Sequence, residues 1–218
     1  MIRLLLVDDH HLVRSGMLRL LSEETDFDVV AEAANGEDAV QLARELVPDV
    51  VLMDINMPGI GGLEATRRIL QQNADTKIIV VSMYQEEPYP NRLLEAGAMG
   101  YLSKDSAADE VVTAVRQVAA GKNYVASEIA SRLAISLIKG SGGSPFDTLS
   151  QREMQVAMMV TQGHSTQAIS DSLCLSPKTV STYRYRLFEK LDVHNDVGLT
   201  RMAMRYGLLE DAPQQSSA

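Results

Sequence analysis

The sequence predicts two domains: an α/β domain on a five-stranded, doubly wound parallel sheet of order 2-1-3-4-5, and an all-α domain of four helices. Three observations carry this. Short apolar runs alternate with helical patterns through residues 1–120, a Gly/Ser-rich break follows, and only helical patterns lie beyond it. Continuous apolar strands separated by helices indicate a parallel sheet covered on both faces. A chain of 218 residues suffices for two such cores.

The strand-like runs are Arg3–Val7, Val29–Ala33, Val50–Met53, Ile78–Ser82 and Gly100–Ser103. Between and after them Leu12–Glu24, Glu37–Val47, Leu63–Gln72 and Glu110–Ala120 place apolar residues at helical spacing. The first domain is therefore set at residues 1–122, followed by a linker at 123–146 that holds an amphipathic helix, Ser127–Lys139, and the flexible Gly140–Pro145 break. A second domain, 147–210, opens on a capping box, Ser150 to Glu153, with Leu149 and Met154 placed for a hydrophobic staple. Its helical patterns are Gln151–Thr161, Thr166–Leu173, Pro177–Leu191 and Asp196–Tyr206, and the polar tail 211–218 reads as disordered.

The 45% hydrophobic and 22% charged fractions suit a globular protein. No apolar run approaches the roughly 18 residues of a membrane span, and the N-terminus enters a strand without a signal-peptide pattern. The single cysteine, Cys174, lies between two leucines and reads as a core residue; with no second cysteine to pair with, the expected compartment is the reducing cytoplasm. A net charge of −9 argues at first against nucleic acid, but residues 1–144 account for −8 of it. Within the second domain Pro177–Lys190 carries a local +3, which is compatible with DNA binding.

Asp8 and Asp9 end the first strand, Asp54 the third, and Lys104 the fifth. Strands one and three are neighbours at the topological switch point, so three carboxylates converge in one crevice. Unneutralised, they would raise one another's pKa. Mg²⁺, a hard ion that seeks oxygen ligands, suits such a site, with the carbonyl of Asn56 as a further ligand. Lys104 offers a fixed charge to phosphoryl oxygens, and the Ser82 hydroxyl a donor. Each residue alone has a plainer reading, since a strand-end Asp more often caps a turn and a lone Lys is more often solvated.

Together, Asp8-Asp9, Asp54 in Leu-Met-Asp-Ile-Asn-Met-Pro-Gly, Ser82, Tyr101 and Lys104 resemble the receiver domain of bacterial response regulators over residues 1–122. The resemblance implies that Asp54 is the phosphoacceptor and that Asp8, Asp9, Asp54 and Asn56 form the Mg²⁺ site. It also makes Ser82 and Tyr101 the pair that rearranges on phosphorylation, and Lys104 the phosphoryl clamp. Two positions depart from the pattern. Asp105 follows Lys104 where many receivers have proline, which disfavours a cis peptide there. Met83 follows Ser82 where many carry a smaller residue, which narrows access to Asp54.

In the second domain Ser176-Pro177 is a strong helix start. Val180, Leu187 and Leu191 share one face of that helix, with Tyr183 at its margin; Lys178, Thr182, Tyr185 and Glu189 share the other. The preceding short helix and the Cys174–Ser176 connection give helix-turn-helix spacing. Lys178, Ser181, Thr182 and Tyr185 would then face base edges or nearby phosphates, and Arg184, Arg186 and Lys190 would hold phosphates. An ordinary solvated face is the plain alternative.

Leu149-Ser-Gln-Arg-Glu153, Gly163-His-Ser-Thr166, Leu175-Ser-Pro-Lys-Thr-Val180 and Lys190-Leu191 resemble the LuxR-type helix-turn-helix. Tyr183 stands where histidine is common, and Thr166-Gln167 where Asn-Lys is usual. Family behaviour would bring Leu199, Met202, Ala203 and Tyr206 of the last helix near a dimer partner, although core packing accounts for them equally well. The combination resembles the NarL/FixJ response regulators, and the stretches around Asp54 and Ser176–Arg186 resemble GacA/UvrY-type global regulators. This implies a phosphorelay from a membrane-bound, hybrid sensor histidine kinase, a homodimer on double-stranded DNA, and activation of small regulatory RNA genes. Steady turnover of a phosphate ester would indicate a phosphohydrolase instead, and phosphorylation-independent DNA binding a constitutive adaptor.

Overall fold

Six parallel strands, in the order β2-β1-β3-β4-β5-β6, form the frame of a computed structural model that describes residues 1–83, 89–138, 144–173, 175–206 and 208–209. The chain divides into two compact units, one ending at Ile138 among the described residues and one beginning at Ser144.

In the first unit the elements are β1 (Ile2–Val7), α1 (His11–Ser22), β2 (Phe27–Ala33), α2 (Gly36–Leu46), β3 (Val50–Met53), α3 (Gly61–Gln72), β4 (Lys77–Ser82), α4 (Tyr89–Glu95), β5 (Gly100–Ser103), α5 (Ala108–Ala119), β6 (Tyr124–Val125) and α6 (Ser127–Ile138). The central strand β3 is buried at every residue, as its unbroken apolar run predicts. Leu5, Val7, Val51, Met53 and Ile78 pack with Ala39, Ala43, Ala65 and Ile69 of α2 and α3. Edge strand β2 keeps Asp28 and Glu32 in solvent.

The expected five strands are thus corrected to six. The sixth lies in the stretch read as linker: Tyr124 N donates to Met99 O (2.9 Å) and Ala126 N to Tyr101 O (3.0 Å), which closes the free edge of β5. Helix α6 follows at once, packs against α4 and buries Ile129 completely. A two-residue strand carries no periodicity of its own, so nothing in the sequence announced it.

In the second unit a 3₁₀ turn at Pro145–Thr148 precedes α7 (Gln151–Thr161), α8 (Thr166–Ser172), α9 (Pro177–Leu191) and α10 (Asp196–Arg205). The capping box forms as expected: Ser150 N donates to Glu153 Oε2 (2.7 Å) and Glu153 N to Ser150 Oγ (3.3 Å). Ser165, Ser176 and Asn195 cap the next three helices through their side chains. Ser170 clamps the α8–α9 turn, its carbonyl accepting from Leu175 N (2.9 Å) and its hydroxyl donating to Leu175 O (2.5 Å). Val180, Leu187 and Leu191 of α9 are buried, as are Leu199 and Ala203 of α10. Packing within the unit therefore accounts for Leu199 and Ala203, the core reading of the two that the sequence leaves open. Cys174, the break at 140–143 and the tail at 211–218 lie outside the described residues. Among the described residues no helix is long and apolar enough to cross a membrane.

Candidate phosphoacceptor site and DNA-reading helix

Parallel pairing of β1 with β3 sets Val7 beside Met53, and Asp54 N donates to Val7 O (2.8 Å). Asp8 and Asp54 therefore emerge together at the carboxyl edge of the sheet, with burial leaving them 7% and 3% exposed. On the far side of β3, Ser82 of β4 pairs with Ser103 of β5, and Lys104 N donates to Ser82 O (3.0 Å). That brings the Lys104 ammonium over the cluster, 2.7 Å from Asp8 Oδ2 and 2.8 Å from Asp54 Oδ2.

Ligand atoms from Asp8, Asp9, His10 and Asp54 lie within 4.8 Å of one another. Asp9 Oδ1 is a buried atom with no hydrogen bond; it stands 2.8 Å from His10 Nδ1, outside bonding geometry. Converging carboxylate oxygens, one of them unsatisfied, are the donor set that a hard divalent cation takes. Asn56 reaches the cluster through its main chain, its amide donating to Asp54 Oδ1 (3.2 Å).

Burial pushes Asp54 up to about 6, with Asp8 adding to the rise and the Lys104 charge and hydrogen bond opposing it. Burial also pulls the Lys104 ammonium down, but its two carboxylate partners outweigh that and hold it above its ordinary value. Tyr101 is fully buried with its hydroxyl hydrogen bonded to Ser82; burial, chiefly, drives its pKa well above the usual range. Met83 is 60% exposed beside the buried Ser82.

Sequence reasoning missed several groups that shape this site. Gly62 lets α3 start directly behind the acceptor, since a Cβ there would collide with the Asp54 carbonyl. Glu37 of α2 accepts from Ile60 N (3.1 Å), which anchors the turn between β3 and α3, and Gly59 (φ 78°) leaves room for that carboxylate. His10 is the third residue of an Asp-Asp-His run, a signal legible in hindsight.

On α9, Lys178, Ser181, Thr182, Tyr185 and Arg186 are exposed. Ser181 Oγ donates to Pro177 O and Thr182 Oγ1 to Lys178 O, both at 3.0 Å, so these hydroxyls are held by their own helix. Arg184 and Lys190 also make contacts inside the unit. Arg184 Nη2 donates to both carboxylate oxygens of Asp196 (2.6 and 2.7 Å), tying α9 to α10, and its guanidinium lies over the Phe188 ring. Lys190 binds the buried Glu153 (2.7 Å), tying α9 to the capping box of α7. Both cations are thus ion-paired within the unit.

Residues 4–116 match the model of the response regulator receiver domain, and residues 147–203 that of bacterial regulatory proteins of the luxR family. The chain belongs to the response regulators. It is 53% identical to response regulator GacA of Pseudomonas aeruginosa over 213 residues, which cover 97% of this chain and all of that protein. Identity to response regulator UvrY of Escherichia coli is also 53%, over 95% of this chain and 96% of that one. Among solved structures, a LuxR-family two-component response regulator from Aurantimonas superposes with TM-score 0.61 at 40% identity, covering 63% of this chain and 99% of that one. ChrA, a response regulator of a heme-sensing two-component system, matches with TM-score 0.53 at 32% identity over 95% of this chain and 98% of its own. This response regulator therefore joins a receiver to a LuxR-type domain.

Proposed function

We propose that this response regulator receives a phosphoryl group on Asp54 from a sensor histidine kinase and, in that state, binds double-stranded DNA as a homodimer to regulate transcription. One observation carries the reading: a buried Asp54, held by Lys104 in a carboxylate cluster, shares a chain with a helix whose polar face is exposed.

Asp54 is the nucleophile. A carboxylate oxygen forms a bond to phosphorus as the donor's N–P bond breaks, and the donor histidine leaves as imidazole. Asp8, Asp9, Asp54 and the Asn56 carbonyl would hold Mg²⁺, which when bound offsets the negative charge of carboxylates and phosphoryl group. Lys104 already bridges Asp8 and Asp54 and needs only a small shift to meet phosphoryl oxygens. Ser82 donates to the phosphoryl group once it arrives, which releases its bond to Tyr101 and alters the β4–β5 edge.

On DNA, α9 enters the major groove with Lys178, Ser181, Thr182 and Tyr185 toward the bases and Arg186 toward phosphate. Two protomers reading half-sites about 34 Å apart supply the affinity that the weak net charge of the domain does not. The resemblance to GacA/UvrY-type regulators noted in the sequence would make the donor a hybrid kinase and the targets small regulatory RNA genes.

The test is binding to promoter fragments with and without acetyl phosphate and Mg²⁺, for wild type and Asp54→Asn. Phosphorylation should tighten wild-type binding only. Equal binding by both proteins would show that the receiver is not the switch.

A further inference from the structure

Arg14 of α1 has no part in the chemistry above, yet it reaches the main chain of the site. Its Nη1 donates to the carbonyl of Asp8 (2.6 Å), its Nε to Glu32 Oε2 on β2 (3.0 Å), and its side chain is only 15% exposed. Strand β2 ends at Ala33, whose carbonyl accepts from Asp8 N (3.1 Å). The ladder stops there, and the Asp8 carbonyl is met by a guanidinium. Arg14 N also bonds His10 O (3.0 Å), so the turn Asp8-Asp9-His10 is held from both its ends by one residue.

We propose that Arg14 is a positioning residue for the divalent-cation site, acting through the Asp8 peptide; the inference rests on the reading of Asp8, Asp9 and Asp54 as that site. Fixing the Asp8 carbonyl fixes the peptide that joins it to Asp9, and with it the directions of both side chains. The Asp8 carboxylate is thereby kept on Lys104 (2.7 Å) and the His10 amide (2.7 Å). The guanidinium fork suits this task, since Nη1 faces Asp8 while Nε faces Glu32 at a fixed separation in one plane, a rigidity that the ammonium of lysine on its flexible stem lacks. Glu32 also neutralises the guanidinium, so the arrangement supplies geometry without placing an uncompensated positive charge beside a cation.

The experiment titrates the full chain with Mn²⁺ alone, an oxygen-seeking ion like Mg²⁺, and follows free Mn²⁺ by electron paramagnetic resonance. Arg14→Lys keeps the charge and loses the fork; it should weaken binding by about tenfold, the scale of outer-shell losses in other metal sites. Glu32→Gln should weaken it in the same direction, and Arg19→Gln, on the exposed side of α1, should leave it unchanged. The half-saturating Mg²⁺ for phosphorylation by acetyl phosphate should rise in step, while the plateau rate is retained. Binding by Arg14→Lys within about twofold of wild type overturns the inference. Should Arg14→Lys fail to fold, the same limit applied to Glu32→Gln decides. A wild-type chain that binds no Mn²⁺ overturns the reading of the site itself, a result distinct from equal binding by both.

Discussion

Lys104 Nζ stands 2.8 Å from Asp54 Oδ2, yet the carboxyl of Asp54 still titrates at about 6 rather than 3.8, because burial outweighs the ion pair. The folded state therefore keeps a proton that the unfolded chain has released. Stability from that protonation is full below the unfolded value and is lost as pH rises through about 6. Asp54→Asn, which cannot ionise, should raise stability in metal-free buffer at neutral pH by on the order of 2 kcal/mol. Thermal melts should show the gain shrinking as pH falls through about 6 and vanishing below 3.8, where Asp54 is protonated in both states. A gain independent of pH would place the strain elsewhere.

Gly62→Ala pits helix propensity against contact. Alanine favours the helix by about 1 kcal/mol. Its methyl, however, collides with the main chain of Asp54 and Ile55, which cannot move as a side chain can. The clash should win: a net loss of about 1–3 kcal/mol by denaturant unfolding, with slower acetyl-phosphate labelling of Asp54.

At the end of α2, Val47 adopts a left-handed conformation (φ 46°), an unfavourable one for a β-branched residue, ahead of Pro48. Its carbonyl accepts from Arg3 Nη1 (3.1 Å), which helps to hold it there. The side chain is 54% exposed, so little burial is at stake. Val47→Asn should therefore stabilise the receiver by about 1 kcal/mol, measured by chemical denaturation, with no effect on phosphorylation.

Lys190 and Arg186 should separate stability from DNA contact. Glu153 is buried, and burial alone would raise its pKa; Lys190 and the Ser150 cap reverse the sign and hold it below its ordinary value. Lys190→Met should cost the LuxR-type domain about 1–2 kcal/mol and leave the salt slope of DNA binding unchanged. Arg186→Gln should do the opposite, sparing the melting temperature and lowering that slope by about one.

Much of this was legible in the sequence because the physics involved is local. Apolar runs gave β1, β3, β4 and β5, and side-chain caps gave the starts of α7 and α9. Asp8, Asp54 and Lys104 could be brought together because strand ends of a parallel sheet share one edge. What escaped depended on pairing across the fold. No local signal tells Lys190 that Glu153 will be buried 37 residues away, or Arg184 that Asp196 will meet it. Arg14 reads as one more helix-surface cation until the Asp8 carbonyl appears beside it, and β6 exists only because β5 has an edge to offer.

That edge matters to anyone who recombines these modules. Since Ala126 donates to the carbonyl of Tyr101, the receiver as a transplantable part extends through α6. A chimera spliced after 122 would leave a bare strand able to recruit neighbouring sheets, and such fusions should aggregate. Splicing after Ile138 keeps the edge covered and leaves the acceptor's tyrosine in its native surroundings.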